Sequence, residues 1–138
     1  MWWIYALLSA FFAALTAIFA KIGIKGVDSD LATAIRTVII LIVAWLIVYF
    51  KGSFQSITSL TKYSIIFICL SGIATGLSWI FYFRALQVGK VSQVAPVDKL
   101  SVALAIILSV LFLNEVLTIK TALGALLIIG GTIVLILN

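Results

Sequence analysis

Histidine is absent from this 138-residue chain, and cysteine and proline occur once each. Acidic residues number four, and charged residues together make up 9% of the sequence, against about 25% in an average soluble domain. Each shortage closes off a class of function. With no histidine and one cysteine, the chain cannot build a His/Cys metal cage, a disulfide framework or an ordinary hydrolase triad. An intramembrane enzyme fails on the same grounds, because acid–base chemistry finds neither an imidazole nor an acidic pair. No enzymatic activity and no cofactor are therefore expected. What is present is apolar: 65% of the residues are hydrophobic, and the mean hydropathy is +1.38. That excludes a soluble domain and a disordered one, and the length suits one short membrane domain. The net charge of +5 arises from nine Lys and Arg spread singly along the chain. They form no patch for nucleic acid and read as loop and interface charges.

The charges divide the sequence into five apolar stretches. Residues 1–20, Tyr63–Phe83 and Thr121–Asn138 carry no charge, and each approaches the roughly 20 residues that cross a bilayer at 1.5 Å per residue. The other two, Leu31–Phe50 and Ser92–Leu113, reach that length only by taking Arg36 and the pair Asp98–Lys99 into the membrane. The expected fold is therefore an all-α membrane protein with five transmembrane helices at roughly 2–22, 31–50, 63–86, 92–113 and 118–137, in a single domain over 1–138. Asp30 is the expected N-cap of the second helix and Ser92 of the fourth. Asn114 and Glu115 are expected to cap the start of the fifth, and Pro96 to kink the fourth near its beginning. The first stretch begins with apolar Met1-Trp2-Trp3 rather than a basic segment, so it reads as a retained helix.

Orientation follows from Lys and Arg. One side holds Lys21, Lys25, Arg36, Arg84, Lys90 and Lys99, and the other Lys51, Lys62 and Lys120. This bias places the first side in the cytoplasm, N-out and C-in. Counting three of those six as intramembrane leaves three against three, which permits dual topology.

Small and hydroxyl residues recur at helical spacing. The first helix has Ser9, Ala13 and Thr16; the third has Ser71, Thr75, Ser78 and Tyr82; the fourth has Asp98, Ser101, Ala105 and Ser109. Such stripes serve close helix packing in lipid or line a polar path. Gly72 with Gly76, and Gly124 with Gly131, are expected to pack against neighbouring helices. Arg36 and Asp98 lie at similar depth, roughly 9 Å inside their helices, and an even number of crossings separates their loops. A central charge costs at least about 2.5–3.5 kcal/mol, so such residues face the interior and pair. Arg36 and Asp98 are expected to meet in at least one state, as a structural pair or as a solute or ion site. Lys99 points about 100° from Asp98 on an ideal helix and snorkels or joins the site. Trp79 and Tyr82 offer aromatic surface to an organic solute or anchor at the interface. Arg84 reads as a headgroup or gate contact.

Val94-Ala95-Pro96, followed by Leu111-Phe112-Leu113-Asn114-Glu115, resembles the fourth-helix segment of EamA-like proteins in the drug/metabolite transporter superfamily, with Asn114 in place of a usual glycine. Ser78–Leu86 (SWIFYFRAL) is similar to that family's third-helix end, and Gly124-Ala125 to Gly130-Gly131 to its fifth. Lys21 and Arg36 also stand where the family often has a basic residue. The resemblance runs over nearly the whole chain. It implies a secondary carrier of a small metabolite or drug-like solute. Most relatives have ten helices in two inverted repeats, whereas this chain resembles the five-helix bacterial/archaeal branch, a half-transporter bundle. Small multidrug pumps of four helices carry a glutamate in helix one, and residues 1–20 here contain no acid.

The leading expectation is a secondary active transporter in the inner (plasma) membrane, working as a homodimer whose second copy supplies the missing repeat. An antiparallel pair would reproduce the ten-helix relatives. Its partners are the lipid bilayer, its own second copy and a small organic solute, with no nucleic acid. The solute path is expected along Thr16, Ser78, Trp79, Tyr82, Ser101, Arg36, Asp98 and Lys99. The rival is a non-transporting membrane subunit or assembly factor.

Overall fold

The computed structural model describes residues 1–137, and its regular elements are all helical. They are α1 (Trp2–Gly23), α2 (Ser29–Phe50), a short 3₁₀ helix (Ser53–Ser59), α3 (Lys62–Val88), α4 (Val91–Asp98), α5 (Leu100–Leu113) and α6 (Ile119–Ile136). Five segments are long and apolar enough to cross a membrane, with α4 and α5 together forming the fourth, Val91–Leu113. The protein is therefore an all-α membrane protein of five spans. At most 6% of each span's apolar window is buried by the chain itself. Lipid or further protein must cover the rest, since exposed apolar surface on this scale is untenable in water.

The helix ends depart from expectation in instructive ways. Asp28, not Asp30, caps α2: its Oδ1 accepts from the N–H groups of Asp30 and Leu31, both at 3.0 Å. Those are two of the donors that a helix start leaves without partners. Gly26, at φ +74°, turns the chain ahead of this cap in a region that favours glycine. Lys90, rather than Ser92, stands at the start of α4. Thr118 caps α6 by accepting from Thr121 N–H at 3.1 Å, while Asn114 ends α5 in the left-handed region at φ 55°. The Asn114–Glu115 pair thus closes one helix and does not open the next. A 5.3 Å stack of Trp45 on Phe54 holds the 3₁₀ helix to α2.

The fourth span is interrupted where Pro96 makes itself felt. The Pro96 carbonyl accepts from Lys99 N–H at 3.0 Å, a 3₁₀ step, and also from Thr132 Oγ1 on α6 at 3.2 Å. Helical geometry resumes at Leu100. The Thr132 hydroxyl thus lies between the Pro96 carbonyl and that of Ile128 on its own helix, 2.8 Å away.

Two compact units make up the chain: Met1–Phe19 with the chain from Val88 onward, and Ala20–Gln87. In the first, α4 and α5 lie against α6, and Ala17, Ala103 and Thr132 are buried. In the second, Ile24, Phe83 and Leu86 are buried, together with Ser29 and Thr33. Three long-range polar contacts tie the end of α3 to the α1–α2 turn of this unit. Lys21 Nζ donates to Leu86 O at 2.5 Å, Gln87 Nε2 donates to Val27 O at 2.9 Å, and Arg84 pairs with Asp30.

Hydroxyls within the helices mostly turn back on their own backbone. Thr33, Thr37, Thr75 and Thr132 each donate to the carbonyl four residues earlier at 2.8 Å, and Ser109 to the one three residues earlier. In lipid this hides a polar group that has no water to bond. The glycines behave differently from expectation. A Cβ placed at Gly72, Gly76, Gly124 or Gly131 would meet nothing within 4 Å, so no other helix of its own unit packs closely on any of them.

Candidate functional site

Arg36 lies seven residues into α2, roughly 10 Å from the helix start, and is half-buried. Its guanidinium carbon stands over two rings of α3, Trp79 and Phe83, at 4.7 Å from each centroid. Those residues are four apart, so a single face of α3 presents both. Tyr82 is on the adjoining stripe, half-buried, within electrostatic range of the guanidinium and edge-on to Phe83 at 6.2 Å between centroids. The contact is a cation–π arrangement, which steadies a charge out of water. It leaves one atom unanswered. Arg36 Nη1 is buried and has no hydrogen-bond partner among the described residues.

Asp98 belongs to the other unit, at the end of α4. Its Oδ2 is 3.1 Å from Lys99 Nζ, with the Asp98 side chain 33% exposed and that of Lys99 57%. Adjacent side chains of an unbroken helix diverge, and Lys99 was expected to point away. The long lysine stem nonetheless curls back, so that the ammonium returns to its neighbour. Within its own unit Asp98 thus meets Lys99, and Arg36 meets the rings of α3.

The remaining expected path residues are placed as follows. Thr16 is half-buried on α1, while Ser78 on α3 and Ser101 on α5 are exposed. Phe83 was overlooked, although its spacing from Trp79 was a usable signal. Arg84 was expected to meet headgroups or act as a gate. Instead it grips Asp30 with two prongs, Nε to Oδ1 at 3.0 Å and Nη2 to Oδ2 at 2.5 Å. That pair, too, had a signal, since both residues stand at helix ends on the same side of the membrane. Cys69 is exposed. The described residues include no group of three or more His, Cys, Asp or Glu able to hold a metal ion.

Comparison with known proteins decides between families. The model of the EamA-like transporter family matches residues 1–137. The chain belongs to the EamA-like transporter family. A Sinorhizobium sp protein described as an uncharacterized transporter in the cobO 3′ region is 48% identical over 134 residues, covering 97% of this chain and 95% of that protein. An uncharacterized protein of Methanocaldococcus jannaschii is 32% identical over 100 residues, covering 66% of this chain and 73% of that protein. No solved structure matches the chain significantly. In this EamA-like protein, Arg36 of α2 is the residue set over the α3 rings.

Proposed function

We propose that this EamA-like protein is a secondary active carrier of a small metabolite or drug-like organic solute, working as a homodimer in the inner (plasma) membrane rather than as an enzyme. The observation that carries this reading is the 3₁₀ step in the fourth span at Lys99, where the Asp98 and Lys99 charges meet. Interrupted helices with charge at the interruption are where carriers build solute and ion sites, and a helix meant only for packing has no use for one. The homodimer is supported by the coverage of the spans. One chain buries at most 6% of any span's window, too little to enclose a solute, and the open Gly72, Gly76, Gly124 and Gly131 leave faces onto which a second copy can fit. The candidate path residues are Ser78, Trp79 and Tyr82 with Arg36 in one unit, and Thr16 and Ser101 with Asp98 and Lys99 in the other.

The test is reconstitution of the purified chain into proteoliposomes, with flux measured for amino acids, organic cations and phosphorylated metabolites. Light scattering of the same preparation gives the oligomeric state. Flux of at least one class by a dimer is expected. Replacing Thr16, Ser78 or Ser101 with Leu should block it while expression is unchanged. Preserved flux in all three variants would move the path elsewhere. A dimer inert toward every class, recovered from cells in a stable hetero-complex, would favour a non-transporting subunit.

A further inference from the structure

Arg36 is a cation whose own unit offers no acid to answer it. That unit contains two carboxylates, and both are committed. Asp28 Oδ1 accepts from the first N–H groups of α2, and Asp30 holds Arg84 with both oxygens. In the other unit Asp98 is engaged by Lys99. Buried donors are nearly always satisfied, and charges within a membrane are normally paired. The ring faces of Trp79 and Phe83 attract the positive charge but supply no oxygen lone pair, so Nη1 stays without an acceptor. Arginine does not deprotonate at any physiological pH. The vacancy therefore cannot be relieved by loss of a proton.

We propose that the transported solute carries an oxyanion, a carboxylate or a phosphate, and that Arg36 is the group that binds it. This rests on the carrier reading above and names its substrate class. Guanidinium is suited to the task, because its N–H fork matches two oxygens of either group and it sheds water more readily than an ammonium. The rings hold the guanidinium in position before the anion arrives, so little ordering remains to be done on binding. They also provide apolar surface for the organic body of the solute. The charge balance points the same way. Asp98 and Lys99 compensate each other, so the uncompensated intramembrane charge among the described residues is positive and disfavours a cationic solute.

The test uses the full chain in detergent solution. Tryptophan occurs at positions 2, 3, 45 and 79, so W2F/W3F/W45F leaves Trp79, 4.7 Å from the Arg36 guanidinium, as the sole reporter. Benzoate and phenyl phosphate are titrated, with benzylamine and benzyl alcohol as cationic and neutral probes of similar size. The two anions should give a saturable change in Trp79 emission, and the amine and alcohol none. Arg36→Gln in the same background should weaken anion binding roughly 10–100-fold, as expected for loss of a charged hydrogen bond. Arg36→Lys should weaken it several-fold, and it decides the matter should the glutamine variant not fold. Arg84→Gln should leave binding unchanged. Equal responses to all four probes, undiminished binding in the Arg36 variants, or a response only to phosphatidylglycerol vesicles would overturn the proposal. Flux separates it from the carrier reading. Anion binding with no flux of any solute would sink the carrier and leave the site standing; flux of organic cations without anion binding would do the reverse.

Discussion

Arg84 and Arg36 belong to the same unit and carry the same charge, yet different groups answer them. Arg84 stands near the end of α3, where Asp30 at the start of α2 takes both prongs of its guanidinium. Both side chains are about half exposed, 55% and 46%, so water and salt screen the pair and its contribution to stability is small. Its effect is positional: with Lys21 on Leu86 O and Gln87 on Val27 O, it sets the end of α3 against the α1–α2 turn. Arg36 lies deeper, against two rings, with one buried donor unanswered. Where the chain wanted rigidity it supplied a carboxylate. Where no carboxylate of the unit is at hand, two ring faces meet the charge instead.

Phe83 separates the two layers most sharply, because it is both buried packing, 2% exposed, and a ring beside Arg36. Phe83→Ala should cost about 3 kcal/mol of stability, through the cavity it leaves. Phe83→Leu keeps an apolar side chain of similar bulk and should cost less than about 1.5 kcal/mol, while still weakening anion binding. Thermal unfolding in micelles measures both, and a leucine variant as unstable as the alanine one would mean that the ring serves structure alone.

A double-mutant cycle addresses whether Arg36 has a carboxylate partner in any state. With Arg36 serving a solute and Asp98 serving Lys99, Arg36→Gln and Asp98→Asn should add to within about 0.5 kcal/mol. A coupling above about 1 kcal/mol would make the two deep charges partners, and Arg36 would lose its distinction from Arg84.

The smallest effect is expected at the exposed pair itself. Asp30→Asn should lower the unfolding temperature slightly in dilute buffer. The gap from the parent should shrink near about 1 M salt, where screening acts within about 3 Å. A gap that persists in high salt would show the pair to be better shielded than its exposure indicates.

The five spans were legible because a bilayer demands long apolar runs, and hydropathy alone reports them. Their ends were less so. Asp28 and Asp30 are both good N-caps, and Asn114 and Thr118 both suit a helix boundary. The choice falls to whichever residue the preceding turn leaves in extended backbone: Asp28 after Gly26, and Thr118 after the left-handed Asn114. Pro96 announced a disturbance in the fourth span. The step falls at Lys99, three residues beyond the proline, and the Pro96 carbonyl there also lies 3.2 Å from Thr132 Oγ1, 36 residues away. At the candidate site, Arg36, Trp79 and Tyr82 were named from depth and aromaticity, but what faces Arg36 could not be.

The amino-acid sequence by itself determined the solvent of this protein, the number of its crossings and the family it joins, because each depends on composition and short-range order along the chain. Tertiary structure decided how its few charges are shared. Four acids and nine bases allow many pairings, and in a low-dielectric setting the outcome depends on ångström distances between helices far apart in the chain. Asp30 went to Arg84 and Asp98 to Lys99. Arg36 went to the rings of Trp79 and Phe83, because the two acids of its own unit are taken by the start of α2 and by Arg84.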